Sequence, residues 1–349
     1  MRTYDAIASL PLAVEGYELE GRQRPVSSGF VRHTTVVRLR GGGSEGLGED
    51  VTYDAAEHAS FQAAGEAFDL AGKHTLDGWS ALIGGLDLFP GGAPEHEGFR
   101  HYRRWAFESA ALDLALRQAG TSLAEATGRT PAPVRFVVSR RLPKPPTVQP
   151  LRTILDAYPE TTFKLDPTSD WTEGLVDELA GLDAVEILDL KGAYRGTAVD
   201  QPPDPRLYGL VTEAFPAAVL EDPDLVDPQT RAVMEPHAGR VSWDAVIHSV
   251  ADVEGLPFPP RWLNIKPSRF GSCAALFDTY DHCAEHGITT YGGGQFELAV
   301  GRGQIQHLAS LFHPDAPNDV APLGYDGPEI EPGTPESPLP PSAAPVGFR

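Results

Sequence analysis

Cysteine is nearly absent: the chain holds two, Cys273 and Cys283, ten apart in a helical pattern and with no Cys-x-x-Cys pair. That spacing suggests neither a zinc site nor redox chemistry, and a reducing compartment is expected. No stretch approaches the roughly 18 apolar residues a membrane span needs, and MRTYDAIASLPLAVEGYELEG has no basic segment leading into an apolar one. A soluble, cytoplasmic protein without a membrane partner is expected. Positive charge is also scarce, since 28 Lys and Arg against 49 Asp and Glu leave a formal charge of −21. Such a surface repels phosphate backbones, which are bound by basic side chains displacing counterions, so nucleic acid is not an expected partner. Glycine and proline, at 36 and 33 of 349 residues, stay below the roughly 25–30% of a low-complexity chain. The chain reads as globular, with room for one large α/β domain plus a smaller one or for two or three ordinary domains.

From about Arg135 to Tyr325 a unit repeats: a short β-branched or aromatic run, a polar junction, then an amphipathic stretch closed by Gly or Pro. The strand candidates are Arg135 to Ser139, Thr162 to Leu165, Ala184 to Leu190, Ala218 to Glu221, Arg240 to Asp244, Trp262 to Lys266, Thr289 to Tyr291 and Val320 to Gly324. Helical patterns such as TEGLVDELAGL and DPRLYGLVTEAF lie between them. Eight such units in about 190 residues fit a (β/α)8, TIM-like barrel of α/β class. A doubly wound sheet would need a Gly-rich turn after its first strand, and none follows Arg135 to Ser139. Residues 1–130, with alternating HTTVVRLR and the long pattern RRWAFESAALDLALRQAG, read as a separate α+β capping lid. Residues 131–326 are then the barrel, and residues 327–349, with 7 Pro in 23 residues, an extended tail either loose or laid over a neighbouring surface such as the lid.

In a barrel of this type catalytic groups project from the C-terminal strand ends into one mouth. Asp189 ends the third candidate strand, Glu221 the fourth and Asp244 the fifth. Three converging carboxylates repel one another and call for a cation, and hard oxygen ligands favour Mg2+ over zinc. Taken singly, each acid is better explained as a helix cap or a solvated side chain; it is their consecutive order that favours a metal. Lys164 and Lys266 end the second and sixth strands and flank the acids. A lysine beside a divalent metal can serve as a base near neutrality.

The order Lys, Asp, Glu, Asp, Lys resembles the enolase superfamily, specifically its muconate lactonizing and mandelate racemase-like members. SEGLGED at 44 to 50 is similar to that family's Gly-x-Gly-Glu segment, and DLKGAY at 189 to 194 sits where it has Asp-x-Asn-Gly-x-Trp. LEDP at 220 to 223, LNIKPSRFGS at 263 to 272 and GGGQFELAVGRGQIQHLASL at 292 to 311 resemble the later barrel motifs. The resemblance implies lid loops near Tyr17 to Arg24 and Asp50 to Asp54, and one Mg2+ on Asp189, Glu221 and Asp244. It further implies abstraction of a proton α to the carboxylate of a small acid substrate through a metal-stabilised enediolate. Elimination, cycloisomerisation or epimerisation would follow, in a homo-oligomer.

Two positions depart from the family pattern. The second strand of the relatives usually ends Lys-x-Lys, with the second lysine as acid or base, but here it reads Lys164, Leu165, Asp166; two residues after Asp189, Lys191 stands in place of Asn. Asp166 and Lys191 should face the same mouth, so they either pair, or Lys191 supplies the lost catalytic lysine, or both mark loss of activity. With only Lys266 at a family position for proton transfer, one-base elimination or cycloisomerisation is favoured over racemisation. Ser268, Glu297 and His248 complete the candidates, as substrate-binding residues; Glu297 is equally a helix N-terminal acid, and a lone His is more often structural. The competing readings are an inactive enolase-like barrel that keeps metal or ligand binding, and a phosphate-binding barrel using Gly292 to Gly294, which has no second glycine turn to support it.

Overall fold

The computed structural model describes residues 2–27, 29–196, 199–327 and 329–349. The lid strands are β1 (Pro11–Val14), β2 (Gly16–Pro25), β3 (Val31–Gly41), β4 (Ser44–Asp50) and β5 (Gly72–Thr75). β2, β3 and β4 form an antiparallel sheet in that order, and β1 pairs with β5. The helix Gly98–Ala119 crosses the sheet with fifteen buried residues, all lying between Phe99 and Leu116. Glycine makes this packing possible. A Cβ on Gly46 would lie 2.2 Å from the Ala110 carbonyl oxygen, and one on Gly48 would lie 2.0 Å from that of Ala106. The Gly-x-Gly of SEGLGED is therefore the surface on which the helix sits, and it delivers Glu49 and Asp50 to the seam with the barrel.

Seven parallel strands follow in sequence order: β6 (Val138–Arg140), β7 (Phe163–Leu165), β8 (Val185–Asp189), β9 (Val219–Glu221), β10 (Val241–Trp243), β11 (Trp262–Ile265) and β12 (Thr289–Gly292). The intervening helices start at side-chain caps that satisfy otherwise unpaired amides: Thr172 accepts from the Leu175 amide, Asp204 from Leu207 and Ser272 from Ala275. The sheet closes on a two-residue eighth segment, where the Asp319 amide donates to the Gly292 carbonyl and the Val137 amide to that of Asn318, both at 2.8 Å. The eighth strand was expected at Val320 to Gly324; the pairing lies earlier, because Pro322 has no amide to extend a ladder and residues 323–325 turn in a short helix. Tyr17 to Arg24, expected as a loop, is strand β2, and the loop of that hairpin is its tip, where the Val26 amide donates to the Phe30 carbonyl.

Lid and barrel share one apolar core, with Val137, Ile187, Val219 and Tyr291 as a separate group. Glu49 joins the two units, its carboxylate accepting from the amides of Leu298 (2.6 Å), Ala299 (3.0 Å) and Gly301 (2.9 Å) where the helix Val300–Phe312 begins. The tail runs back over this junction: Leu339 pairs with Val134, Phe348 is fully buried, and Arg349 donates to Asp113 of the lid helix at 2.8 Å. Among the described residues no helix is long and apolar enough to cross a membrane.

The closing segment hangs on a clasp between His313 and Asn318. Asn318 Oδ1 accepts from the Gly292 amide (2.7 Å) and from His313 Nδ1 (2.6 Å), so the other ring nitrogen accepts the Tyr280 hydroxyl (3.0 Å). Burial pushes His313 down from 6.5 to about 4. Between those values the unfolded chain takes up a proton that the fold refuses. The stability due to this site is therefore complete above about pH 6.5 and falls, by on the order of 3 kcal/mol in all, as the pH drops to about 4. Urea unfolding at stepped pH checks this: the acid-side loss is expected to be shallower in His313→Gln than in the wild type, and parallel curves would refute it.

Candidate active site

The candidate residues lie where the parallel strands end. Lys164 is the central residue of β7, Asp189 and Glu221 terminate β8 and β9, and Asp244 and Lys266 directly follow β10 and β11. All five are buried, and Asp166 and Lys191 join them at the rim. Lys164 Nζ lies 2.5 Å from Glu221 Oε1, 3.1 Å from Asp189 Oδ2 and 3.3 Å from Asp319 Oδ2. Lys191 Nζ lies 2.5 Å from Asp189 Oδ2 and 3.6 Å from Asp166 Oδ1. Lys266 Nζ is 2.8 Å from Asp244 Oδ2, and Arg269 Nε is 3.1 Å from Asp244 Oδ1. The outcome is a buried lattice of alternating charge.

The proton affinities follow from that lattice. Burial disfavours the Lys164 ammonium, but Glu221, Asp189 and Asp319 outweigh it and hold the lysine charged. Burial likewise works against Lys191, and Asp166 and Asp189 reverse it. Asp189 is held low, the cost of burial being exceeded by Lys191 and Lys164, and Asp244 is held low by Arg269 and Lys266 against the same cost. Glu221 goes the other way: burial, with the charges of Asp189 and Asp244, pushes it up to about 8 despite Lys164. It is the carboxyl of the three that most readily keeps a proton.

Several participants were not singled out from the sequence. Asn264 Nδ2 (3.1 Å) and the Tyr291 hydroxyl (2.5 Å) donate to Glu221 Oε2, and the Tyr194 hydroxyl donates to Asp244 Oδ2 (3.0 Å) while accepting from Arg269 (2.8 Å). Asn264 was legible in principle, since it lies two residues before Lys266 and so on the same strand face. Asp222 accepts from the amides of Asp244 and Ala245 at 2.9 Å each, tying the end of β9 to that of β10. Lys191 and Asp222 both take left-handed backbone, with φ of 56° and 45°, a strained state that clusters at functional sites.

The three candidate substrate residues stand apart from the lattice. His248 Nδ1 contacts the Arg269 carbonyl (2.8 Å) and its ring stacks on His101 of the lid helix, a structural join. Ser268 is buried in the short turn after Lys266, its hydroxyl without a hydrogen-bond partner among the described residues. Glu297 accepts from the Gln295 amide (2.8 Å) beside Glu49. Gly293 has a packing role instead of a phosphate-binding one, because a Cβ there would lie 2.4 Å from Asn264 Oδ1 and 2.8 Å from Lys266 Cε. Over the seam, the rings of Phe30, Tyr53 and Phe296 form a partly exposed aromatic rim. A cavity of about 630 Å³ lined by Glu186, Val219, Trp262 and His313 lies at the opposite ends of the strands, away from these charges.

With this geometry described, comparison with known proteins places the chain. Two models described as "Domain of unknown function (DUF8230)" match it, the N-terminal domain at residues 5–126 and the C-terminal domain at residues 130–327. The chain belongs to the DUF8230 family. It is 27% identical over 336 residues to an N-succinylamino acid racemase of Amycolatopsis sp, covering 89% of this chain and 86% of that one. A crystal structure of muconate cycloisomerase from Pseudomonas fluorescens superposes with a TM-score of 0.66 at 17% identity, over 89% of this chain and 87% of its own. A dipeptide epimerase from Methylococcus capsulatus complexed with a Mg ion superposes with a TM-score of 0.66 at 18% identity, over 88% and 90%. The lid-plus-barrel architecture and the likeness to the muconate lactonizing branch of the enolase superfamily, read from the motifs, are borne out.

The epimerase holds Mg, and the enolase superfamily generally uses that ion. In the DUF8230 chain the donor set is arranged differently. Among the described residues no group of three or more His, Cys, Asp or Glu is placed to hold a metal ion. One oxygen each of Asp189, Glu221 and Asp244 meets Lys191, Lys164 and Lys266, while Asp244 Oδ1 is buried without a hydrogen bond among the described residues. Because these charges are paired and buried, removing one ammonium leaves carboxylates that nothing compensates. Lys164→Met is expected to lower the unfolding free energy by about 3–5 kcal/mol in urea titration, and a loss under about 1 kcal/mol, typical of an exposed pair, would contradict the lattice.

Proposed function

We propose that the chain is an enzyme that removes the proton α to the carboxylate of a small organic acid. The observation that carries this reading is the placement of Lys266 Nζ at the end of β11, in the same buried lattice as the ammonium groups of Lys164 and Lys191. The substrate carboxylate enters on the Lys191 side, where Asp166 and Lys191 side chains are each 14% exposed against 1% for Lys164. Lys266 Nζ, after its ammonium has released a proton to solvent, accepts the α-proton. Asp244 does not depend on Lys266, because Arg269 and Tyr194 also hold it. Negative charge then builds on the substrate carboxylate opposite fixed positive groups, in surroundings where little water screens them.

Asp166 occupies the position of a second proton-transferring lysine and presents a carboxylate there. That supports chemistry with one base, elimination or ring closure, over exchange of stereochemistry. A second reading, a binding barrel without turnover, draws on the 2.8 Å ion pair between Lys266 and Asp244, which occupies the amine. Proton NMR of N-acylamino acids and of small dicarboxylic and hydroxy acids in D2O separates the two. Enzymatic action appears as α-deuterium incorporation or product, reduced at least about 100-fold in Lys266→Ala, the lower range for loss of a general base. Binding without exchange in the wild type would favour the second reading.

A further inference from the structure

We propose that Lys191 stands where a divalent cation would otherwise sit, so that this barrel carries its electrophile on its own chain. Lys191 is two residues beyond Asp189, and its left-handed backbone brings Nζ back onto the Asp189 carboxylate, 2.5 Å from Oδ2. Asp189 Oδ2 also meets Lys164 at 3.1 Å, both Glu221 oxygens are taken by Lys164, Asn264 and Tyr291, and both Asp244 oxygens face Lys266 or Arg269. Mg2+ requires near-octahedral oxygen ligands at roughly 2.0–2.1 Å, and five of the six carboxylate oxygens already accept hydrogen bonds from donors of this chain, while the sixth, Asp244 Oδ1, faces Arg269 Nε at 3.1 Å without a hydrogen bond.

Charge and donor count fit the replacement. Lys191 adds one positive charge at the end of β8, beside the Lys164 ammonium that the family motif also has. An ammonium has three donors: Asp189 takes one of Lys191's, Asp166 lies at 3.6 Å and the Tyr194 ring 5.1 Å from Nζ, so a ligand would compete with these weaker contacts and not with Asp189. Asp166 balances the charge that Lys191 adds, so the two departures from the family motif are one exchange. On the reading proposed above, Lys266 first releases one proton of its ammonium to solvent. The substrate Cα–H bond then breaks, its proton passes to Lys266 Nζ, its electron pair moves onto the substrate carboxylate, and the charge that builds there faces Lys191.

The test is metal binding by the full chain after EDTA treatment, with Mg2+ followed by calorimetry and Mn2+ by the EPR signal of the free ion. Wild type is expected to show no site tighter than about 1 mM. Lys191→Asn is expected to gain one site at least tenfold tighter, and Lys191→Asn with Glu221→Gln to lose it again. Lys191→Met, which removes the charge but keeps the length, provides a second variant should the first fail to fold; circular dichroism reports on both. One equivalent of Mg2+ bound by wild type below 1 mM and lost in Glu221→Gln would overturn the proposal, as would folded Lys191 variants that gain no site. Because the readout is binding, it stands apart from the α-deuterium assay: metal-free wild type that exchanges the α-proton satisfies both readings, and metal-free wild type that neither binds Mg2+ nor exchanges it leaves this one standing and removes the other.

Discussion

One buried ammonium organises the mouth of the barrel. Lys164 touches carboxylates from β8, from β9 and from the closing segment, so a single side chain spans the site from its third strand to its eighth. Without it Asp189 and Glu221 would oppose each other at the ends of adjacent strands, where like charges in low dielectric raise each other's proton affinity. A buried ion pair rarely adds net stability over an apolar pair of the same shape, but breaking one is costly. The lattice is therefore better understood as fixing an arrangement than as strengthening the fold. It holds four cations at a place that apolar packing would have filled.

Most of the architecture was legible because the barrel obeys local rules. Strand ends at Leu165, Asp189 and Glu221 coincide with the ends of apolar runs, and caps such as Asp204 and Thr172 stand at the polar junctions that close them. The convergence of Asp189, Glu221, Asp244, Lys164 and Lys266 follows from the (β/α)8 pattern alone, since parallel strands point their ends one way. What was hidden depends on reach and on backbone strain. That Lys191 folds back on Asp189 and only secondarily toward Asp166 requires a left-handed φ that no residue type there advertises. Arg269 and Tyr194 meet on Asp244 from loops of different units, a contact 75 residues apart in sequence. His248 looked available by spacing, yet its ring is spent against His101, which only the docking of the lid could reveal.

The charge of the whole chain and the charge of the site are separate quantities. Most of the surplus of acid, 49 against 28, is carried elsewhere, while Asp166, Asp189, Glu221, Asp244 and Asp319 face Lys164, Lys191, Lys266 and Arg269, five acids against four cations. This near balance allows such a cluster to lie buried beneath the lid, and within it a new charge on a bound acid would be felt strongly.

Glu49 bears on how anything reaches that cluster. Its carboxylate holds three amides at the start of a barrel helix, while Arg32 of the lid donates to the Gln295 carbonyl at 3.0 Å close by. Swinging the lid away as a rigid body would break these bonds together and strip a carboxylate of every donor it has there. A hinge between lid and barrel at this seam would therefore lose several charge-assisted hydrogen bonds in a single event rather than one at a time.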